Sequence, residues 1–287
     1  MSSSSSSSSS SGQAPFFPSL DEIFLSECPN LKGWWGRREF SVIITSDDDE
    51  SFEMNTETLV MDHHLLLSFL RLSTLRISGC PMLTSMPTFP SVKDKLKLQN
   101  VSFKQLQQTM TMKKQAIASS STLVAAPTRL SKLKRLTLGR IGDLETLLEE
   151  WLRNLTSLES LHIGDCNRLK SLSQGIQHLS ALQDLHLHDC DALDVCNDED
   201  GMQWQGLKSF LSLEFEGLPK LVSLPLGLQH VSTLQKLFIH QCNNFMAIPE
   251  WIDNCTSLVH LAIQACPSLT SLPEGMHGLA SFAMTSD

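Results

Sequence analysis

Four stretches of this chain share one spacing of apolar residues, Leu-x-x-Leu-x-(Leu/Ile)-x-x-Cys-x-x-Leu. They begin at Leu158 (LESLHIGDCNRL), Leu182 (LQDLHLHDCDAL), Leu234 (LQKLFIHQCNNF) and Leu258 (LVHLAIQACPSL). Phe210 heads a further copy, so the intervals from Leu158 are 24, 28, 24 and 24 residues. A unit this short cannot bury its own apolar face. A fixed period of roughly 20–30 residues therefore implies units that stack, each covering the next.

Counted from the leading residue, the apolar positions fall at offsets 0, 3, 5, 8 and 11. The Leu158 copy is thus expected to bury Leu158, Leu161, Ile163, Cys166 and Leu169, then Leu172, Ile176 and Leu179 on the way back. The x-Leu-x-Leu stretch alternates with period two, which makes it a strand with one face inward. The return limb carries Leu224-Pro225, Ile248-Pro249, Leu272-Pro273 and Met86-Pro87. Proline lacks an amide donor, so that limb is read as extended chain or short helical turns rather than a second ladder. The fold class is accordingly α/β: a leucine-rich-repeat solenoid curved like a horseshoe. Its parallel sheet lines the concave face, and its convex face is mostly irregular or short-helical.

Nine copies are placed by their leading residues: Leu20, Leu72, Lys93, Leu133, Leu158, Leu182, Phe210, Leu234 and Leu258. The Lys93 copy is the weakest, with only Leu96, Leu98 and Val101 fitting. The solenoid is expected over 14–282. Irregular loops are expected at about 36–58 (around Asp47-Asp48-Asp49-Glu50), 105–127 and 197–206. The serine run at 1–13 cannot bury apolar surface and is read as disordered. Solenoids need polar caps at both ends, and neither end offers one. The expectation is a piece of a longer protein or a truncated gene model, with 283–287 its cut-off end.

The net charge of −9 and pI near 5.5 oppose nucleic-acid binding through a broad basic face. No run of 18 apolar residues suggests a membrane span, and the serine-rich start lacks the charged and apolar regions of a secretory signal. Six of the eight cysteines (Cys28, Cys80, Cys166, Cys190, Cys242 and Cys266) occupy offset 8. A buried thiol there acts as a small hydrophobe and a weak donor, linking neighbouring turns as Asn does in other such repeats. These six are read as a structural ladder of reduced thiols in the cytosol or nucleus. No Cys-x-x-Cys occurs, so zinc-ribbon and redox motifs find no support.

Recognition is expected where side chains are free of packing duty, at offsets 1, 2, 4, 6 and 7 on the concave side. The candidate partner-binding residues are Arg76, Lys97, Lys134, Arg135, Arg140, His162, Asp165, His186, His188, Glu214, Glu216, Phe238 and His240. They run from a basic end to a patch rich in His and acid, a gradient suited to a complementary protein. His162 and Glu214 should flank His186 at about one strand spacing, 4.8 Å, and Glu216 and His240 should neighbour His188. Side chains on a flat ladder project in parallel rather than converging, which argues against a metal ion and favours a pH-sensitive protein contact. Catalysis has little support: there is no G-x-S-x-G elbow, the in-register thiols are buried, and Glu149 and Glu150 are adjacent rather than opposed. No cofactor is expected.

The string L-x-x-L-x-I-x-x-C-x-x-L-x-S-L-P, continuing with Glu-Gly or Glu-Trp, resembles the C-terminal repeats of plant NB-LRR disease-resistance proteins. The similar branch is the coiled-coil, resistance-gene-analogue-like one. The resemblance is carried by LAIQACPSLTSLPEGMHGL (Leu261 to Leu279), LHIGDCNRLKSLSQGIQHL (Leu161 to Leu179) and FFPSLDEIFLSECPNLKGWW (Phe16 to Trp35). It covers roughly 14–104 and 127–282. The chain departs from the family in having no G-x-x-x-x-G-K-[ST] loop to cradle phosphates and no coiled-coil segment. What the resemblance implies is recognition in defence: a protein partner that is a pathogen effector, a guarded host protein or the receptor's own nucleotide-binding module. No nucleic-acid partner and no membrane insertion are implied. Other readings are a substrate adaptor of an F-box-type ubiquitin ligase, a secreted ectodomain (Asn100, Asn154 and Asn254 head N-x-[ST] sequons) and a non-functional fragment.

Overall fold

Alternation of apolar and polar residues over five-residue stretches is what a one-sided strand requires, and each copy supplies one. The computed structural model describes residues 17–33, 71–83, 91–103, 130–196 and 204–275. Among these, nine strands form one sheet in chain order: β1 (Glu22–Ser26), β2 (Thr74–Ser78), β3 (Lys95–Gln99), β4 (Arg135–Gly139), β5 (Ser160–Gly164), β6 (Asp184–His188), β7 (Ser212–Glu216), β8 (Lys236–His240) and β9 (His260–Gln264). Every pair is parallel and in the same register, so equal offsets lie side by side from one end to the other. The fold is the curved leucine-rich-repeat solenoid expected from the periodicity.

The inward residues at offsets 3 and 5 make two continuous columns. From Leu75 to Leu237 and from Ile77 to Ile239 they are at most 1% exposed. Burying one such side chain stabilises by roughly 1.5–3 kcal/mol, and here the burying surface is always the next repeat. The full set predicted for the Leu158 copy is buried, from Leu158 through Leu179.

One turn geometry follows every strand. The residue at offset 7 is left-handed in all nine copies (Glu27, Gly79, Asn100, Arg140, Asp165, Asp189, Gly217, Gln241 and Ala265), with φ between 49° and 64°. This bend aims its amide at the final carbonyl of the following strand: Asp165 N donates to His188 O at 3.1 Å, and Gly217 N to His240 O at 2.9 Å. The offset-8 thiol of that following copy donates to the same oxygen, Cys190 Sγ to His188 O at 3.3 Å and Cys242 Sγ to His240 O at 3.4 Å. One carbonyl with two lone pairs thus ties a thiol to its neighbour's turn, the linking role expected of the ladder. Cys242 and Cys266 also lie 3.9 and 3.8 Å from the carbonyls of Phe215 and Ile239. No disulfide joins any of the eight cysteines.

The return limb is short-helical, as the prolines imply. One turn of α-helix, α1 (Glu149–Leu152), is followed by 3-10 turns at Gln174–His178, Trp204–Gly206, Leu226–His230 and Glu250–Asn254. Pro225 and Pro249 stand immediately before two of these turns, where a missing amide costs nothing. Trp151 and Trp204, 1% and 2% exposed, fill the wide convex side of the core. Trp204 packs 6.0 Å from the Phe210 ring, and a Cβ on Gly227 would come within 2.7 Å of its Cδ1.

Two expectations need correction. The leading residue of the third copy is Val92, fully buried, while Lys93 is exposed. One extra residue precedes that strand, so counting backward from Leu96 at fixed spacing lands on solvent. The loop assigned to 197–206 ends earlier, because Trp204 belongs to the core and Trp204–Gly206 to the return limb. The remaining loops at 36–58 and 105–127, the segments 1–13 and 283–287, and Met86-Pro87 lie outside the described residues. Truncating Trp204→Ala should cost about 3–5 kcal/mol through the cavity it leaves, measured by urea unfolding; a loss below about 1 kcal/mol would return Trp204 to a loop.

Burial pushes the Cys242 thiol up from its ordinary 9.0 to about 11. A raised folded-state value favours the neutral thiol, so its contribution is full below 9.0 and declines as pH rises through about 11. The span corresponds to on the order of 2–3 kcal/mol. Under reducing conditions, the stability advantage of the wild type over Cys242→Ala should shrink across that window by urea denaturation. A gap independent of pH would contradict a buried thiol.

Candidate protein-binding face

The outward offsets 2, 4 and 6 form three parallel columns on the concave wall. At offset 4 the order is Phe24, Arg76, Lys97, Thr137, His162, His186, Glu214, Phe238 and Ala262. Because the inward residues set the spacing, this column changes chemistry without disturbing the core. Arg76, Lys97, Arg135, His162, His186, His188, Glu214, Glu216, Phe238 and His240 all lie on strands facing this wall. Lys134, Arg140 and Asp165 do not. The strands span only offsets 2 to 6, so these three sit on the rims at either side of the sheet.

The basic end is more neutralised than its sequence suggests. Lys134 pairs with Glu159 at 3.1 Å, Arg135 with Asp94 at 2.5 Å and Arg140 with Asp165 at 3.5 Å. Each bond joins neighbouring repeats. Exposed pairs of this kind contribute roughly 0–1 kcal/mol each, so they mainly remove free charge from the surface. Arg76 instead lies over the Phe24 ring, its Cζ 4.5 Å from the centroid, and its Nε is shielded with no hydrogen-bond partner. Lys95, which the sequence reading did not single out, lies beside Thr74 and Arg135 in register. Of the three ion pairs, two join residues 25 apart and the third, Arg135–Asp94, residues 41 apart, which only the stacked register reveals.

At the other end His162, His186 and His188 come together, whereas His240 lies beside Glu216, two strands from His188, and is not the neighbour expected. His162 meets His186 edge-on at 5.4 Å, and His186 and His188 lie 5.1 Å apart. His162 is held below the usual imidazole range, first by lost hydration and then by the neighbouring His186. It keeps open surface, but one side of the ring is closed by that neighbour. His186 Nδ1 is 3.9 Å from Glu214 Oε2, and its Nε2 is 3.4 Å from Glu216 Oε2. The Nε2 atom is inaccessible to solvent and makes no hydrogen bond, so the 3.4 Å contact lacks the alignment of donor and acceptor. Phe238 and His240 stack nearly parallel at 6.1 Å. The three donor groups of His186, Glu214 and Glu216 lie within 4.8 Å of one another, which the flat-ladder picture did not foresee.

Small residues at offset 6 give the long ones room. A Cβ on Gly164 would fall 1.8 Å from His188 Nε2, so the imidazole lies directly over the glycine. His188 Nδ1 is 3.3 Å from Asp189 Oδ2. Above these strands, the rim opens into a shallow polar groove lined by Asp189, Asp191, Gly217, Pro219, Gln241, Asn243 and Ala265. It follows directly from the left-handed turns and went unread in the sequence. On the convex side, Arg153 and then His178 hold the Glu149 carboxyl below the usual carboxylate range.

No protein-family model and no curated protein matches this sequence. Solved structures do. The leucine-rich-repeat domain of the type III effector XopL is 17% identical, covering 90% of this chain and 72% of that one, with a TM-score of 0.45. The functional domain of InlJ from Listeria monocytogenes, which includes a cysteine ladder, is 16% identical over 69% of this chain and 43% of that one, with a TM-score of 0.38. A leucine-rich-repeat protein of Leptospira interrogans is 18% identical over 72% and 64%, with a TM-score of 0.33. The fold assignment rests on the nine-stranded ladder itself. No helix among the described residues is long and apolar enough to cross a membrane.

Filling the space above Gly164 should move the imidazole without disturbing the core. Gly164→Ala is expected to change stability by no more than about 1 kcal/mol while displacing the His188 ring resonances in NMR spectra. Unchanged His188 resonances would rule out the stacking.

Proposed function

We propose that this chain is the recognition repeat region of a plant intracellular immune receptor, non-catalytic, binding a protein partner through the concave face in the cytosol or nucleus. The observation that carries the reading is a uniform core beneath an outward column that passes from Arg76 and Lys97 to His186, Glu214 and Phe238. A surface so varied over a scaffold so regular is suited to selecting a partner by charge and shape. The repeat type, Cys-x-x-Leu followed by Leu-Pro, supports the receptor class. The partner is a pathogen effector, a guarded host protein or the receptor's nucleotide-binding module.

The half-buried Phe238 beside its stacked His240 is the anchor of this face, since aromatic groups at the centre of an interface dominate its energy. Basic Arg76 and Lys97 steer the encounter more than they hold the complex. Against candidate effectors and nucleotide-binding modules tested pairwise by surface plasmon resonance, Phe238→Ala should weaken a specific partner by about 2 kcal/mol. The charge reversal Arg76→Glu with Lys97→Glu should chiefly slow association, and Glu250→Lys on the convex return limb should change neither. A partner that tolerates the concave changes but not the convex one would overturn the assignment of the face. A partner outside defence altogether would overturn the receptor class.

A further inference from the structure

We infer that His186, Glu214 and Glu216 form a site for a divalent transition-metal ion of the zinc type on the concave wall. His186 is the central residue of β6, and the two glutamates are the outward residues of β7 beside it. Their donor atoms lie within 4.8 Å of one another. Donors bound to one tetrahedral zinc at about 2.0–2.2 Å stand roughly 3.4 Å apart. The groups therefore need to close by no more than the free ends of flexible side chains can move.

The state without an ion leaves two groups poorly served. His186 Nε2 is shielded from water and unbonded, yet faces the Glu216 carboxylate at 3.4 Å. As a neutral acceptor it would set a lone pair against a carboxylate oxygen. As a donor it lacks the alignment a hydrogen bond requires. Among the described residues, no lysine or arginine pairs with Glu214 or Glu216; both face the His186 ring, and Glu214 also acts on the more distant His162. A divalent cation between the three offsets the two carboxylate charges and uses the idle lone pair.

The donor set selects the class of ion. Imidazole with carboxylates suits zinc and similar transition ions, whereas calcium and magnesium favour all-oxygen shells. The side chains of His186, Glu214 and Glu216 are 22%, 35% and 37% exposed, so the site opens toward the concave space. Three protein ligands leave a fourth position there for water or a donor from a bound partner. His162 packs edge-on against His186 and fixes the ring, while His188 lies over Gly164 and turns toward Asp189. The offset-8 thiols point into the core on the other side of the sheet.

The test uses the whole chain, reduced and stripped of metal, titrated with zinc chloride by isothermal calorimetry. Zinc K-edge X-ray absorption then reads the ligand atoms. The expected result is one equivalent bound through nitrogen and oxygen alone. His186→Asn, and separately Glu214→Gln with Glu216→Gln, should weaken it by about 100-fold or more, since even outer-shell changes cost 10–100-fold. His230→Asn, on the return limb away from the site, should bind as the wild type does. Circular dichroism and urea unfolding check that each variant keeps its fold, and His186→Gln serves if the asparagine variant does not. Sulfur in the first shell, undiminished binding in the His186 and glutamate variants, or no binding at all would each overturn the site. None of these outcomes touches the proposed receptor role, which rests on the face as a whole.

Discussion

The inward pair at offsets 3 and 5 cannot be buried within its own repeat, so each strand depends on two neighbours for its core. Leu185 and Leu187 are closed off by Leu161 and Ile163 on one side and by Leu213 and Phe215 on the other. This makes stability a chain of nearest-neighbour terms rather than a property of one centre. It also fixes the register absolutely, because a slip of one residue would turn the leucines outward. The left-handed residue at offset 7 and the carbonyl it shares with the next thiol repeat that register at the end of each strand. Sequence at offset 7 varies from Gly to Arg to Asp, yet the backbone there does not. The stacking therefore imposes the turn and accepts a small strain in return.

Once the core and turns are fixed, the outward columns are released from structural duty. Arg76, Thr137, His186, Phe238 and Ala262 occupy the same position on equivalent strands. No packing argument distinguishes them. The rims behave differently: Lys134–Glu159 and Arg140–Asp165 link consecutive repeats and neutralise much of the basic end. Free cationic character is left to Arg76, Lys95 and Lys97, a narrower patch than the count of basic residues implies. Variation in surface chemistry thus lies in a few columns of the sheet, and the rim pairs mainly neutralise charge.

Most of the fold was legible because solenoids convert spacing directly into position. The offsets named the buried set of the Leu158 copy residue by residue, and they placed His162, His186 and Glu214 side by side. Errors arose where spacing was locally broken. Val92 displaces Lys93 from the core because one residue is inserted before β3, and Trp204 returns to the core at the end of a polar stretch. The rim pairs were hidden because strand length cannot be counted from an apolar pattern: offsets 1 and 7 read as outward but fall outside the ladder. Periodicity also gives columns without curvature or rotamers. It set Glu214 beside His186 and Glu216 beside His188, and could not tell that the donor atoms of His186 and both glutamates approach within 4.8 Å.

That convergence bears on how the face works. A serine, threonine or alanine at offset 4 would satisfy the ladder, as Thr137 and Ala262 do, with no unbonded nitrogen and no crowded carboxylates. His186, Glu214 and Glu216 add nothing to the core and leave Nε2 without a hydrogen bond. A buried polar atom left unpaired costs roughly 1–3 kcal/mol. Local departures of this kind, unrewarded by packing, are where function is placed on a regular scaffold. At the basic end Arg76 Nε is likewise unbonded but its guanidinium lies over the Phe24 ring, and among the described residues the rim charges are paired while Lys95 and Lys97 are not. The two ends therefore differ in kind, one presenting a narrow cationic patch and the other crowded imidazole and carboxylate donors.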